Sequence, residues 1–396
     1  MPVVIAPLAP RPPRSQVSPG AGQVDIGFVN NMPDSGFEAT ERRFAELLEE
    51  AAGDVPVYLH LYTTADVNRF EHAQERVRNL YRPIDALREA SCDAVIVTGT
   101  EPHKADLRDE PYWAGLTQVI DWAERNTISA IFSCLAAHAA VLHRDGIPRH
   151  WLARKCTGVF EETVSSGHPL TLGISAVPIP HSRWNNLRED DLVAAGYSVL
   201  MKSADAGVGA FVKHTQCLSV FFQSHFEYNA DTLWREYRRD VRRYLRGECQ
   251  TYPEAPLNYF DGPTSRLAEK SRDRVLSAVD RTSLMSDDAF LAAEPLVHNA
   301  WRSAGVGIYR NWLRYILAVK QQRSERANAR YAGLLDPVIR IQDLDLFDPP
   351  PTTTRTRLVE ASLWRDADDA NLYVRSRRAG ERVMVSITRF LTRSFS

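Results

Sequence analysis

The sequence predicts an α/β fold: a mainly parallel central sheet with helices on both faces, a three-layer sandwich. Two observations lead there. Short, fully apolar runs such as Ala94-Val95-Ile96-Val97 and Ile128 to Phe132 read as strands buried on both sides. Between such runs lie segments with apolar residues at helical spacing, and this alternation of strand and helix is what a covered parallel sheet requires.

The elements follow in order. Residues 1–22 are Pro-rich and aperiodic, which predicts a flexible or loosely attached arm. Val24 to Val29 is a β-rich run, followed by a turn holding Asn30, Asn31, Pro33, Asp34 and Gly36. The next helix carries Phe37, Phe44, Leu47 and Leu48 on one face, and Val55 to Tyr62 reads as strand. Ala94 to Val97 ends in Thr98-Gly99-Thr100. Tyr112 to Arg125 is helical, with Trp113, Leu116, Ile120 and Ala123 in phase. After the strand Ile128 to Phe132, Cys134 to His143 has the look of a buried helix. Residues 150–225 carry more Gly, Pro and Ser, which predicts shorter strands and hairpins, with Cys217 to Phe222 the clearest strand. Asp231 to Arg246 is a long helix with Asn229 as its N-cap.

Residues 261–298 read as a charged, partly helical insertion, and Trp301 to Val319 as helix. The domain reading is an arm at 1–22, a catalytic domain over 23–320, and a C-terminal extension over 321–396. In the extension, Val383-Met384-Val385 has β character.

Composition narrows the function. The 396 residues carry a net charge of -2, and nothing in that balance suggests a nucleic-acid partner. The arginines from Arg238 to Arg246 are interleaved with acids and read as a solvated helix face. Five scattered cysteines without a CxxC predict neither a disulfide framework nor a metal site. A reducing cytoplasm is the expected compartment. No apolar run approaches the ~20 residues that span a bilayer, so no membrane association is expected.

The chemistry centres on Ile131-Phe132-Ser133-Cys134-Leu135. An apolar strand runs directly into a helix with a cysteine at the turn, the layout of a nucleophile elbow. Helix-start N–H groups there can hold an oxyanion. A buried core cysteine is the bland alternative. A base is also needed, and Gln223-Ser224-His225-Phe226-Glu227 follows a strand. In an extended segment His225 and Glu227 point the same way, so Glu227 could orient the His225 imidazole.

With these residues in place, the chain resembles the homoserine O-acyltransferases of the homoserine O-succinyltransferase type, which have the class I glutamine amidotransferase-like fold. The matching pieces run in order from Asn30-Asn31-Met32-Pro33 through Val97-Thr98-Gly99, Tyr112-Trp113, Cys134 and Gly158-Val159-Phe160-Glu161. Pro180-His181-Ser182-Arg183, His225 to Tyr228, Arg239-Asp240, Asn258-Tyr259-Phe260 and Trp301-Arg302-Ser303 complete them. The resemblance implies Cys134 as acyl-thioester nucleophile, His225 as general base and Glu227 as third catalytic member. It implies substrate contacts at Lys155, Ser182 and Arg239, and backbone N–H groups of Leu135 and Gly99 as the oxyanion site. Acyl-CoA is then a co-substrate and no cofactor is needed. The implied reaction moves a succinyl or acetyl group from succinyl-CoA or acetyl-CoA to L-homoserine, early in methionine biosynthesis. The family position that separates the two donors is His103 here, neither the glycine of succinyl users nor the glutamate of acetyl users. A homodimer is a family expectation. Serine as acceptor, a cysteine hydrolase or amidotransferase on the same fold, and a non-catalytic relative remain as alternatives. Ser133, Leu135 and Ala136 lack the glycines that amidotransferases carry around their cysteine.

Overall fold

The structure is a computed structural model. It describes residues 3–6, 8, 22–64, 69–278 and 297–331, and short strands at 362–365, 372–375 and 385–387. The chain divides into two compact units, Met1–Leu317 and Ala318–Ser396. The second holds a three-stranded antiparallel sheet, Ser362–Arg365, Leu372–Arg375 and Val385–Ile387. The β character expected around residue 385 belongs to the last of these, while Val383 and Met384 lie outside the described residues. Most of the insertion's second half, 279–296, also lies outside them.

The first unit is built on one large sheet. In chain order its strands are β1 (Val3–Ile5), β2 (Val24–Val29), β3 (Val57–Thr63), β4 (Arg82–Pro83), β5 (Ala94–Val97) and β6 (Ser129–Ser133). Then come β7 (His150–Val164), β8 (Val177–Asn186), β9 (Ser198–Ser203), β10 (Gly207–His214) and β11 (Leu218–Phe222). Across the sheet they lie in the order β1-β3-β2-β5-β6-β11-β10-β9-β7-β8, with β4 beside β3. Every pairing from β1 to β11 is parallel. From β11 outward all are antiparallel.

The parallel strands are buried along their whole length at β2, β5, β6 and β11, which is why they read as predominantly apolar runs. Alternate residues feed two helical layers. Val95, Val97, Ala130 and Phe132 pack with Leu116, Ile120, Ala136 and Ala140 of α3 (Trp113–Asn126) and α4 (Leu135–Asp145). On the other face Phe28 meets Phe44 of α1 (Asp34–Ala52), and Phe222 meets Tyr309 of α8 (Arg302–Tyr331). Among the described residues no helix is long and apolar enough to cross a membrane. The remaining helices are α2 (Glu71–Leu80), α5 (Glu189–Ala194), α6 (Thr232–Leu245) and α7 (Gly262–Ser277).

Three sequence expectations need correction. The arm at 1–22 is not loose throughout, because Val3–Ile5 adds the edge strand β1 alongside Val57–Leu59 of β3. A short β-branched run can satisfy its backbone on an open sheet edge whatever the prolines that follow. The 150–225 region includes one 15-residue strand, β7, rather than short strands alone. A register shift between Trp151 and Cys156 lets it stay paired with β8 despite its length. The N-cap of α6 is Asp231, not Asn229. Asn229 instead closes a turn with Thr232: its carbonyl accepts from Thr232 N–H, and its own N–H donates to the Thr232 hydroxyl oxygen.

The antiparallel half encloses a buried polar cluster behind the parallel strands. His181 Nε2 lies 2.7 Å from Glu162 Oε1, and both side chains are fully buried. Arg183 reaches His181 Nδ1 and the Ala206 carbonyl. Burial pushes Glu162 up to about 7 and His181 well down. A Cβ at Gly209 would overlap the Glu162 carboxylate. Gly209→Ala is therefore expected to cost about 1–3 kcal/mol, the usual range for overpacking. Urea unfolding should show it, with Gly173→Ala unsuitable as a control because its φ of 76° adds its own strain.

Candidate active site

β6 ends at Ser133 and α4 begins at Leu135, so the whole change of direction falls on Cys134. Its φ is 53° and ψ is -114°, and among the described residues only Asn258 shares a positive φ without being glycine. Such a conformation costs roughly 1–3 kcal/mol in an L residue and persists only when its surroundings fix it. Here they do. Cys134 N–H donates to Phe222 O of β11 at 2.7 Å, and its carbonyl accepts from Ala137 and His138 at 3.0 and 3.3 Å. The side chain remains half-exposed while its neighbours on both sides are buried.

Gly99 follows β5, the strand beside β6. A Cβ there would stand 3.1 Å from Leu135 N and 3.3 Å from Ser133 O, so the bare backbone of Gly99 lies against the start of α4. Thr98 fixes this turn. Its hydroxyl accepts from Asn31 N–H at 2.9 Å and donates to Gly99 O at 3.1 Å.

His225 leaves the end of β11. Gln223 and Ser224 N–H groups donate to Gly209 O, and His225 N–H donates to Pro180 O at 2.8 Å. These bonds bend the chain off the strand. His225 and Glu227 therefore sit in a turn, closed by Tyr228 N–H to His225 O, rather than in the extended segment the sequence suggested. Their side chains still meet, with His225 Nδ1 2.8 Å from Glu227 Oε1 and both groups buried. His225 Nε2 is buried and has no protein hydrogen bond of good geometry. Burial opposes a charged imidazolium, but Glu227 and the Cys134 thiol outweigh it and push His225 up to about 10. The ring also stacks on Tyr228, centroids 4.1 Å apart.

Tyr228 connects this centre to α6. Its hydroxyl donates to Glu236 Oε1 at 2.5 Å, and Ser182 Oγ donates to Glu236 Oε2 at 2.5 Å. Burial opposes ionisation of Glu236, yet Lys155, these hydroxyls and Arg239 hold its carboxyl below the usual range. One turn on, Asp240 accepts from Lys155 Nζ at 3.0 Å and from Arg239 Nε at 2.9 Å. Arg243 then forks onto Glu101 at 2.9 and 3.2 Å. Lys155, Ser182 and Arg239 thus share one charged face with Glu236 and Asp240. The expectation of a merely solvated arginine face on α6 is corrected at Arg239 and Arg243. The signal was present in the sequence, since Glu236, Arg239, Asp240 and Arg243 have the i, i+3, i+4, i+7 spacing of one helix face.

His103 lies in the loop after Gly99. Its side chain is exposed, and its N–H donates, like that of Lys104, to the buried Glu110 Oε1 at 2.5 Å. The residues that sequence reasoning passed over are Tyr228, Glu236, Asp240 and Glu110, of which Tyr228 and Asp240 were quoted only as parts of longer matches. His138 is buried against Gln223 at 2.9 Å, and burial pushes it down to about 3. All five cysteines are free, and among the described residues no group of three or more His, Cys, Asp or Glu side chains could hold a metal.

The fold is a mainly parallel α/β sheet with a cysteine on a strand–helix elbow and a buried His–Glu pair at the end of the neighbouring strand, the layout found in enzymes that use a cysteine nucleophile. A family model for homoserine O-succinyltransferase matches residues 18–323. The chain is 42% identical over 297 residues to the homoserine O-succinyltransferase of Rhodopseudomonas palustris, covering 75% of this chain and 89% of that one. It is 43% identical over 290 residues to the same enzyme of Methylorubrum extorquens, covering 73% and 86%. A glutamine amidotransferase structure from Thermotoga maritima overlays with a TM-score of 0.39 at 10% identity, covering 74% and 98%, a likeness too loose to bear on the site. This chain belongs to the homoserine O-succinyltransferase family. It is an acyltransferase that acylates homoserine, a reaction of methionine biosynthesis.

The His225–Glu227 pair makes a testable electrostatic prediction. The folded pKa of His225 lies above the ~6.5 of a free imidazole, so the pair's stabilisation is full below that pH and fades as pH rises through about 10. The stability lost in Glu227→Gln, measured by urea unfolding, should be larger at pH 6 than at pH 10. The same variant should bring the alkaline limb of the acylation pH profile to lower pH.

Proposed function

We propose that the enzyme transfers the succinyl group of succinyl-CoA to the side-chain hydroxyl of L-homoserine through a thioester on Cys134. The observation that carries this reading is the strained elbow at Cys134, facing a buried imidazole that is locked by Glu227. The Cys134 thiolate, favoured by the His225 imidazolium, attacks the thioester carbonyl. Leu135 N–H and Gly99 N–H receive the oxyanion, since Gly99 lies against the start of α4. The tetrahedral adduct expels coenzyme A, whose sulfur takes the proton from His225 Nε2.

The second half reverses the roles. Neutral His225 accepts the proton of the homoserine hydroxyl as its oxygen attacks the acyl-enzyme. Collapse releases O-succinylhomoserine and restores the thiolate and imidazolium. Nε2 suits both transfers because Nδ1 is committed to Glu227 and Nε2 is unpartnered. No cofactor takes part beyond the acyl-CoA co-substrate.

The amino-acid end of homoserine needs one anion and one cation. The half-buried Glu236 carboxylate offers the first to its ammonium. Arg239 and Lys155, both steadied by Asp240, offer the second to its carboxylate. The reading places the enzyme in the cytoplasm, and a homodimer is the expected assembly. Glu236→Gln should raise the KM for homoserine about 10- to 100-fold, the worth of one charge-assisted hydrogen bond. Acylation of Cys134 by the donor alone should change little.

Intact-protein mass spectrometry tests the scheme. With succinyl-CoA and no acceptor, wild type should gain one succinyl group, and homoserine should discharge it. Cys134→Ala should show no adduct and lose turnover by more than about a thousandfold. Full turnover in that variant, or an adduct on another residue, would sink the proposal. An adduct with acetyl-CoA but not succinyl-CoA would keep the nucleophile and reassign the donor.

A further inference from the structure

Arg149 sits between α4 and β7 and takes no part in the scheme above. Its Nη2 donates to the carbonyls of Lys104 and Ala105, at 3.1 and 3.2 Å. That loop begins at Gly99, beside the Cys134 elbow, and contains His103. Arg149 is half-buried, and burial works against its charge. The Cys134 sulfur and the Tyr112 hydroxyl are near enough to be felt by its guanidinium.

Its own acids do not occupy it. Glu110 and Asp106 are the carboxylates around it, and neither comes within ion-pair distance among the described residues. Asp106 is held by a bidentate Arg108 at 2.6 to 3.0 Å. Glu110 spends one oxygen on the N–H groups of His103 and Lys104. One edge of the Arg149 fork is spent on two carbonyls, while its Nε and Nη1 bond to nothing described. The Tyr112 hydroxyl, also buried, has no hydrogen-bond partner. A half-buried guanidinium without a direct counter-ion, beside a nucleophile, is suited to a ligand carboxylate.

We propose that Arg149 selects the acyl donor by binding the free carboxylate at the far end of the succinyl group, with the Tyr112 hydroxyl beside it. This assignment rests on the succinyl-CoA reading above. It makes the donor choice a matter of a guanidinium anchored to the loop that carries His103, rather than of the exposed His103 side chain itself. The two hydrogen bonds to Lys104 and Ala105 fix the fork, so a lysine at this position would supply charge without the same geometry.

The test compares two donors of equal chain length, succinyl-CoA and butyryl-CoA, which differ only in the terminal carboxylate. Rates of Cys134 acylation are read by quenched-flow mass spectrometry in wild type, Arg149→Met and Arg149→Lys. In Arg149→Met, kcat/KM for succinyl-CoA should fall about 10- to 100-fold relative to butyryl-CoA, as expected for one charge-assisted pair. The KM for homoserine should stay unchanged. An equal fall with both donors would assign Arg149 to holding the loop and overturn the proposal, as would an unchanged ratio. Should the methionine variant not fold, the same ratio in Arg149→Lys decides, with a fall of at least about threefold supporting the role and no fall overturning it. If wild type itself is not acylated by succinyl-CoA, the succinyl-CoA reading fails, and Arg149 falls with it as a succinyl selector. If wild type is acylated and the donor ratio does not respond to Arg149, only the present inference fails.

Discussion

A single residue makes the whole turn between β6 and α4, and that residue is Cys134. Its positive φ is unfavourable for any side chain, so the surrounding fold must hold it there. The hydrogen bond from its N–H to Phe222 O ties it to β11, the strand whose end carries His225. One bond thus positions Cys134 and couples it to the strand whose end carries His225. Gly99 completes the arrangement from the other side, since a Cβ there would press on Leu135 and Ser133 at 3.1 to 3.3 Å. The parallel order β5-β6-β11 brings these strand ends to one edge of the sheet.

Electrostatics extend from that centre in one connected chain. Glu227 holds His225 charged, His225 stacks on Tyr228, and Tyr228 donates to Glu236. Glu236 receives Ser182, and Asp240 receives Lys155 and Arg239. Each buried carboxylate therefore has donors from at least one other element, which is how charge is kept in a poorly solvated place. The antiparallel extension of the sheet supplies Lys155 and Ser182 to this network. It also supplies the Glu162–His181–Arg183 cluster, which packs behind the loop that carries His225.

The other flank of Cys134 has a different character. There the loop after Gly99 is shaped by backbone contacts, to Glu110 from within and to Arg149 from outside. Side chains at the loop tip, His103 among them, remain exposed. A loop held by its backbone leaves its side chains free to vary, while the groups that hold it become the fixed points of the site. The face of α6 is a network of ion pairs, whereas the loop after Gly99 is held through its backbone, with the Arg149 guanidinium against two of its carbonyls.

The sequence by itself determined the parallel half of the sheet and the place of Cys134 between a strand and a helix. Strands buried on both faces are mostly apolar, so Ala94–Val97 and Ile128 to Phe132 announce themselves, and Cys134 falls directly between the second of them and a helix. It also placed His225 and Glu227 together, two positions apart and past a strand end. Tertiary structure alone decided the rest. The turn that joins His225 to Glu227 depends on carbonyls of Gly209 and Pro180, far away in the chain. Helical spacing puts Glu236 and Asp240 on one face of α6, but only the fold decides that this face meets β7 and β8. The prolines and arginines between β1 and β2 gave no sign that Val3–Ile5 would cover a sheet edge. Local pattern encodes what a segment buries against itself or against two flat layers, whereas the partners of a polar side chain are set by segments distant in sequence.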